Sequence, residues 1–242
     1  MVDTKLYEYM EEMLRKTPVA FQRYIFDTIP WSSQMVGITG ARGIGKSTMI
    51  RQYIIHNREK GNFLYVSADH TYFVDHSLTD LADEFVKDGG THLYIDEVHK
   101  YNGWAHELKQ IYDVHSDLNV VFTGSSILDI EDGEADLSRR ALMYNMSGLS
   151  FREYLNLFHG FNVRPYSLQD ILSHKARIDG IEHPLPFFRD YIRNGYYPFS
   201  NLEGFETRLQ QVVSRTIESD IAQHANLRAS TARKLKKMLM IV

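Results

Sequence analysis

The chain has 242 residues, 43% of them hydrophobic and 24% charged, with a formal net charge of −4 and no cysteine. That composition supports one medium α/β domain with a smaller appendage and a packed core. It excludes disulfides, thiolate metal sites and thiol catalysis, and it argues against coating nucleic acid by bulk charge, though not against a local basic patch.

Taken in chain order, residues 4–16 carry Leu6, Tyr9, Met10, Met13 and Leu14 at helical spacing between acids and Arg15, which predicts an amphipathic helix ended by Thr17-Pro18. The start lacks a cationic stretch followed by a long apolar core, so no signal peptide is expected. No apolar run approaches the ~20 residues that span a bilayer, so the expected setting is the cytoplasm, without a membrane partner. A short helix is expected at 21–27. Strands are expected at 34–39, 62–67, 92–96, 119–123 and 142–147, and helices between them at 47–60, 78–87 and 104–115. Strands alternating with helices predict βαβ units and a mostly parallel five-stranded sheet, covered on both faces and hence apolar throughout its strands. From Phe151 the pattern turns helical, with helices expected at 151–158, 167–176, 187–193 and 208–225. A division near residue 160 separates an expected core, 1–160, from a helical region, 161–242.

The chemistry is concentrated in residues 40–47. Gly40, Ala41, Arg42, Gly43, Ile44, Gly45, Lys46 and Ser47 match G-x-x-x-x-G-K-[ST] in full, with an apolar strand before them and a helical pattern after. Glycines let backbone N–H groups converge on phosphate oxygens, and the following helix presents its positive end. Lys46 is expected on the β- and γ-phosphates and the Ser47 hydroxyl on Mg²⁺, with Thr48 beside them at the helix start. The competing reading, a glycine-rich turn with an incidental lysine, does not account for the strand and helix around it. The strand at 92–96 ends in Asp96, followed by Glu97. Asp96 is expected to hold Mg²⁺ through water, opposite Ser47, and Glu97 to be the base that orients or deprotonates the attacking water. An acid directly after the metal aspartate, together with a strand inserted between the loop strand and the acidic strand, marks ATPases with a catalytic glutamate. The guanine-reading N-K-x-D is absent, so ATP is favoured over GTP.

The strand at 119–123 is expected between the loop strand and the acidic strand, its polar end facing the γ-phosphate. Thr123 or Ser125 would sense the phosphate, with Ser125 preferred; the alternative is a serine N-cap. Arg139 and Arg140 precede the fifth strand, and either would reach a neighbouring subunit's γ-phosphate or make an ordinary surface ion pair. Arg42 would face phosphates or Asp69. The eleven histidines show no ligand spacing, and the aromatic run Tyr196-Tyr197-Pro198-Phe199 is expected in a helical core. Arg228, Arg233, Lys234, Lys236 and Lys237 form a basic stretch before an apolar end that lacks a cap. This reads as a solvated face or a contact for DNA or a protein partner, in a chain expected to be part of a longer protein.

In combination these motifs resemble a large group of uncharacterised prokaryotic AAA+-type ATPases related to the archaeal-ATPase and STAND branches. Ile95-Asp96-Glu97-Val98-His99-Lys100 with Trp104 is similar to the group's LDE-[IV]-[QH]-K-x-x-x-W, Phe122 to Ser126 to its LTGSS, and Leu149 to Tyr154 to its LSFREY. Residues 189–198 are similar to Y-[LI]-x-x-G-G-[FY]-P, with Tyr196 in place of the second glycine, and 218–221 to ERDI. Asp69 stands where the group commonly has two acids. The resemblance implies a P-loop NTPase fold of the additional-strand type, and a continuation into a winged helix and often a nuclease-like domain. The expected function is Mg²⁺-dependent ATP hydrolysis coupled to motion of the helical part, possible as a homo-oligomer. The rival is an ATP-gated switch acting through DNA or a protein; a phosphotransferase is disfavoured by the Asp96-Glu97 pair.

Overall fold

The computed structural model describes residues 1–124, 137–178, 180–221 and 229–239. Its centre is a sheet of five strands: β1 (Met35–Thr39), β2 (Phe63–Ser67), β3 (His92–Asp96), β4 (Asn119–Thr123) and β5 (Leu142–Asn145). The order is β2-β3-β4-β1-β5, and every pairing is parallel. β4 therefore lies between the loop strand β1 and the acidic strand β3, which is the additional-strand arrangement of an α/β P-loop fold. β1, β2 and most of β3 and β4 are buried, as a doubly covered parallel sheet requires. β5 is an edge strand and is only partly covered.

Side-chain alternation divides the core in two. Leu64, Val66, Leu93, Ile95, Val120 and Phe122 face a layer containing α3 (Leu78–Lys87) and α4 (Trp104–Val114). Tyr65, Tyr94, Val121, Val36 and Ile38 face the other layer, with α2 (Lys46–Asn57). The first helix, α1 (Thr4–Arg15), places Leu6 in one cluster and Met10 and Leu14 in the other. It packs along β2, so the edge strand is shielded from further pairing. No described helix is long and apolar enough to cross a membrane.

After β5 the described residues form α5 (Phe151–His159), α6 (Leu168–Leu172), α7 (Pro184–Asn194), α8 (Phe205–Arg215), a π-helical turn over Thr216–Ile221, and α9 (Ala229–Leu239). Tyr154, Leu155 and Val163 form a small core, with Phe187 and Tyr191 against them.

Several boundaries differ from the sequence expectation. The helix expected at 21–27 is a 3₁₀ turn over Tyr24–Thr28. It starts there because the Tyr24 N–H is taken by the Glu153 carboxylate at 2.9 Å. The helix expected at 167–176 stops at Leu172, after which His174 turns left-handed with φ 55°. α7 begins at Pro184 rather than at 187, since proline suits the first helical turn. The long helix expected from 208 starts at Phe205 and passes into the π turn after Arg215.

Candidate nucleotide site

The site forms where the C-terminal ends of β1, β3 and β4 meet. The phosphate loop leaves β1 through Gly40, Gly43 and Gly45, at φ 142°, 83° and 102°, conformations that side chains with a Cβ rarely adopt. A Cβ at Gly40 would run into the Met146 carbonyl oxygen, and one at Gly43 would lie 2.8 Å from the Phe199 ring. Glycine here thus provides both the turn and the close approach. α2 begins at Lys46, so its unpaired N–H groups open onto the loop.

Arg42, Gly43, Gly45, Lys46, Ser47, Thr48, Arg51, Asp96 and Glu97 line one cleft of about 200 Å³. The structure thereby brings together most of the residues expected at the phosphates and the metal. Gly40, Ala41 and Ile44 are not among the residues that line it, and the Ile44 side chain is buried in the core. The Lys46 ammonium is buried and donates to the Gly40 and Ala41 carbonyls at 2.7 and 2.9 Å.

Asp96 ends β3 and is 6% exposed. Its Oδ1 accepts from the Thr123 hydroxyl and its Oδ2 from the Tyr65 hydroxyl at 2.7 Å. Thr123 also accepts the Glu97 N–H at 2.9 Å. Thr123 is therefore a fully buried support for the two acids. Glu97 itself adopts a left-handed backbone, φ 53° and ψ 44°, which turns the chain sharply after the strand. Burial first, and then the Asp96 charge, push its carboxyl above the ordinary range, against the pull of Arg42 and Lys100.

The donor set suits a hard, strongly hydrated cation. Ser47 supplies a hydroxyl and Asp96 a carboxylate on the same cleft, and Mg²⁺ commonly takes one or two such oxygens and completes its shell with phosphate and water. Among the described residues no group of three or more His, Asp or Glu forms a self-sufficient metal cage.

Of the other expected residues, Arg42 is at the cleft, whereas Asp69 and Arg140 are not among its lining. Ser125 lies outside the described residues. Arg140 sits before the N-terminal end of β5, away from the phosphate loop, and its guanidinium grips Asp113 at 2.8 and 3.0 Å. Arg42 lines the cleft and faces Glu97 electrostatically. Asp69 accepts the Ser67 hydroxyl at 2.5 Å, a bond across the turn after β2. His99 is buried and pushed down to about 4, chiefly by burial and then by Lys100, so it is neutral at pH 7.

Sequence reasoning missed five contributors. Arg23 reaches the loop from the segment before β1, donating to the Ile44 carbonyl at 2.7 Å. Tyr65 grips Asp96 from β2. Phe199 covers Gly43 and Tyr197 packs against the cluster that holds Ile44 and Met49, so the aromatic run adjoins the loop and the sheet core rather than the core of the helical region. Arg208 and Arg215 of α8, together with Arg42 and Phe199, line an adjoining cleft of about 370 Å³. The available signals were the tyrosine two residues before Ser67 on the same strand face and the arginines one helical face apart; for Arg23 there was none.

Comparison with known proteins places this geometry in a family. The chain is 25% identical to an uncharacterised protein of Methanocaldococcus jannaschii over 98% of its own length, and spans 58% of the length of that relative. Among solved structures it is similar to AMPPCP-bound DnaA from Aquifex aeolicus, with 12% identity, coverage of 98% of this chain and 79% of that one, and a TM-score of 0.40. It is also similar to domain III of the replication initiation protein DnaA from Thermotoga maritima, with 13% identity, coverage of 98% and 92%, and a TM-score of 0.42. A Walker-type ATPase of Pyrococcus abyssi matches at 14% identity, coverage of 88% and 79%, and a TM-score of 0.40. The signature described as AAA domain matches residues 32–155, just over half of the chain and the stretch that holds β1 to β5 and the whole phosphate loop, and on that match the chain belongs to the AAA domain family.

Proposed function

We propose that this protein binds ATP with Mg²⁺ at residues 40–48 and hydrolyses the γ-phosphate bond. The observation that carries the reading is the shared cleft of Lys46, Ser47, Asp96 and Glu97, assembled from β1, α2 and β3. The loop N–H groups and the Lys46 ammonium bind and orient the phosphate tail. Ser47 and Asp96 hold the cation, which when bound neutralises phosphate charge. Glu97 is the general base: its raised affinity for a proton suits it to take one from the attacking water. Thr123 is a positioning residue for both acids.

Arg42, Arg208 and Arg215 supply positive charge from the loop and from α8. Their placement supports a reading in which the nucleotide draws α8 toward the loop, coupling nucleotide state to the helical region. Arg140 is assigned to a neighbouring copy's γ-phosphate in a homo-oligomer, exchanging its Asp113 partner for phosphate. Arg233, Lys234 and Lys237 of α9 are the candidate contact for DNA or a protein partner.

The test is phosphate release from Mg-ATP over a range of protein concentrations, for wild type and Glu97→Gln. Turnover by wild type, and ATP binding without turnover by the variant, are expected. Binding by both with turnover by neither would replace hydrolysis by an ATP-gated switch.

A further inference from the structure

Asp96 is held in a way that its role as a metal residue does not by itself require. Both carboxylate oxygens accept a hydroxyl, one from each flanking strand: Thr123 on β4 and Tyr65 on β2. A carboxylate is broadly free about its terminal torsion, so a single donor leaves it able to swing. Two donors on opposite oxygens remove that freedom. Each oxygen offers about two lone-pair sites, so each retains one after its hydroxyl bond.

The phenol is itself held in place. Tyr65 is 2% exposed. The Tyr9 ring stacks beside it, with centroids 6.3 Å apart and planes 8° apart, and the Arg51 guanidinium lies 5.8 Å from its centroid. Arg51 also lines the nucleotide cleft. A second tyrosine on the same face of the sheet provides a contrast. Tyr94 is equally buried, yet its hydroxyl is, among the described residues, a buried side-chain polar atom with no hydrogen-bond partner. This core therefore accommodates a phenol for its ring alone, whereas the Tyr65 hydroxyl is directed at Asp96.

We infer that Tyr65 is a positioning residue for the divalent cation, its hydroxyl fixing the Asp96 carboxylate in the orientation that faces Ser47. The inference rests on the nucleotide-binding reading of the cleft. Mg²⁺ demands near-ideal octahedral geometry, so a carboxylate free to rotate binds it less well. Tyr65 does not line the cleft, so its effect is confined to the metal-dependent part of binding. Through the Tyr9 stack it also joins the metal residue to α1.

The experiment compares the full chain with Tyr65→Phe, and uses Tyr94→Phe as a control for loss of a buried phenol oxygen. Binding of a fluorescent non-hydrolysable ATP analogue is titrated with Mg²⁺, and repeated in excess EDTA. For Tyr65→Phe the Mg²⁺ concentration at half-effect is expected to rise about tenfold, the scale of one hydrogen bond to a charged group, while binding in EDTA is unchanged. Tyr94→Phe is expected to match wild type in both. Thr123→Val removes the other grip and is expected to shift Mg²⁺ dependence in the same direction, so the two-donor account is still tested if Tyr65→Phe does not fold. A Tyr65→Phe titration within twofold of wild type overturns the inference, as does an equal loss of binding with and without Mg²⁺. If wild type itself binds no analogue at any Mg²⁺ concentration, the nucleotide-binding reading fails first and the inference with it.

Discussion

Glu153→Gln tests a buried ion pair outside the cleft. Glu153 and Arg23 are 4% and 7% exposed, 130 residues apart in sequence, and joined Oε1 to Nε at 2.8 Å. The same carboxylate accepts the Ser150 N–H and hydroxyl at the start of α5 and the Tyr24 N–H. Glutamine preserves the shape but leaves the guanidinium buried beside a neutral amide. Removing one partner of a buried pair costs about 3–5 kcal/mol. For a chain of this size that corresponds to a fall in melting temperature of roughly 6–20 °C. Urea denaturation at a series of pH values is the assay. Burial alone would raise the Glu153 pKa, but the Arg23 bond, then the Ser150 and Tyr24 bonds, bring it below the ordinary 4.5. A depressed carboxylate contributes its stability above its unfolded pKa and loses it as pH falls through the folded value. The gap between wild type and variant is therefore full at pH 7 and narrows below 4.5. A gap under about 1 kcal/mol at pH 7, against the cost expected of a broken buried pair, would refute the reasoning, as would a gap that stays constant on acidification.

Two further substitutions probe the loop and the distant arginine. Gly40→Ala places a Cβ at φ 142° against the Met146 carbonyl. It is expected to cost at least about 1–3 kcal/mol in backbone strain and to abolish analogue binding, read by thermal melting and fluorescence titration. Arg140→Ala removes an exposed pair with Asp113, so stability is expected to change by under about 1 kcal/mol. Turnover, by contrast, is expected to fall at least about tenfold. Mixing Arg140→Ala with Glu97→Gln is expected to recover part of the rate, since each supplies the group the other lacks; no recovery would count against an arginine acting between copies.

What the sequence discloses here depends on how far apart the partners lie along the chain. β3 and β4 are legible to the residue, because a short apolar run ending in a polar residue is a local signal. The loop is legible because its glycines, Lys46 and Ser47 are consecutive. The ends of helices after residue 160 are less so: the left-handed turn that follows Leu172 falls on His174, with no glycine to mark it. Arg23 gives no sequence signal, because its partners Ile44, Ser147, Gly148 and Glu153 come from three other segments. Tyr65 reads as an ordinary strand aromatic until the parallel register of β2 and β3 sets Ser67 beside Asp96 and brings the phenol beneath the carboxylate. Tyr196 stands where a tight glycine turn is expected from the resemblance. The chain instead packs its ring over Gly148, whose Cβ would lie 2.5 Å from it, while the Tyr196 carbonyl accepts the Leu149 N–H at 2.8 Å.

The placement of Arg23 explains how a loop of three glycines keeps one shape. A trans peptide unit is planar, and its C=O and the next residue's N–H point to opposite sides. Arg23 draws the Ile44 carbonyl toward the interior at 2.7 Å, so the Gly45 N–H in the same plane is aimed the opposite way, toward the cleft that Gly45 lines. Lys46 does the reverse for the units before it, drawing the Gly40 and Ala41 carbonyls to its ammonium and turning the Ala41 and Arg42 N–H groups from it. The guanidinium is in turn fixed by the Ser147 and Gly148 carbonyls at 2.7 and 3.0 Å, directly before α5. That turn is also where Tyr191 donates to the Leu149 carbonyl at 2.8 Å. Hydrogen bonds from a charged donor contribute about 1.5–3 kcal/mol each, so rotating the Ile44–Gly45 peptide forfeits one of them and disturbs the turn that anchors α7. The orientation of an N–H at the cleft is thereby tied to a helix outside the sheet through one buried side chain.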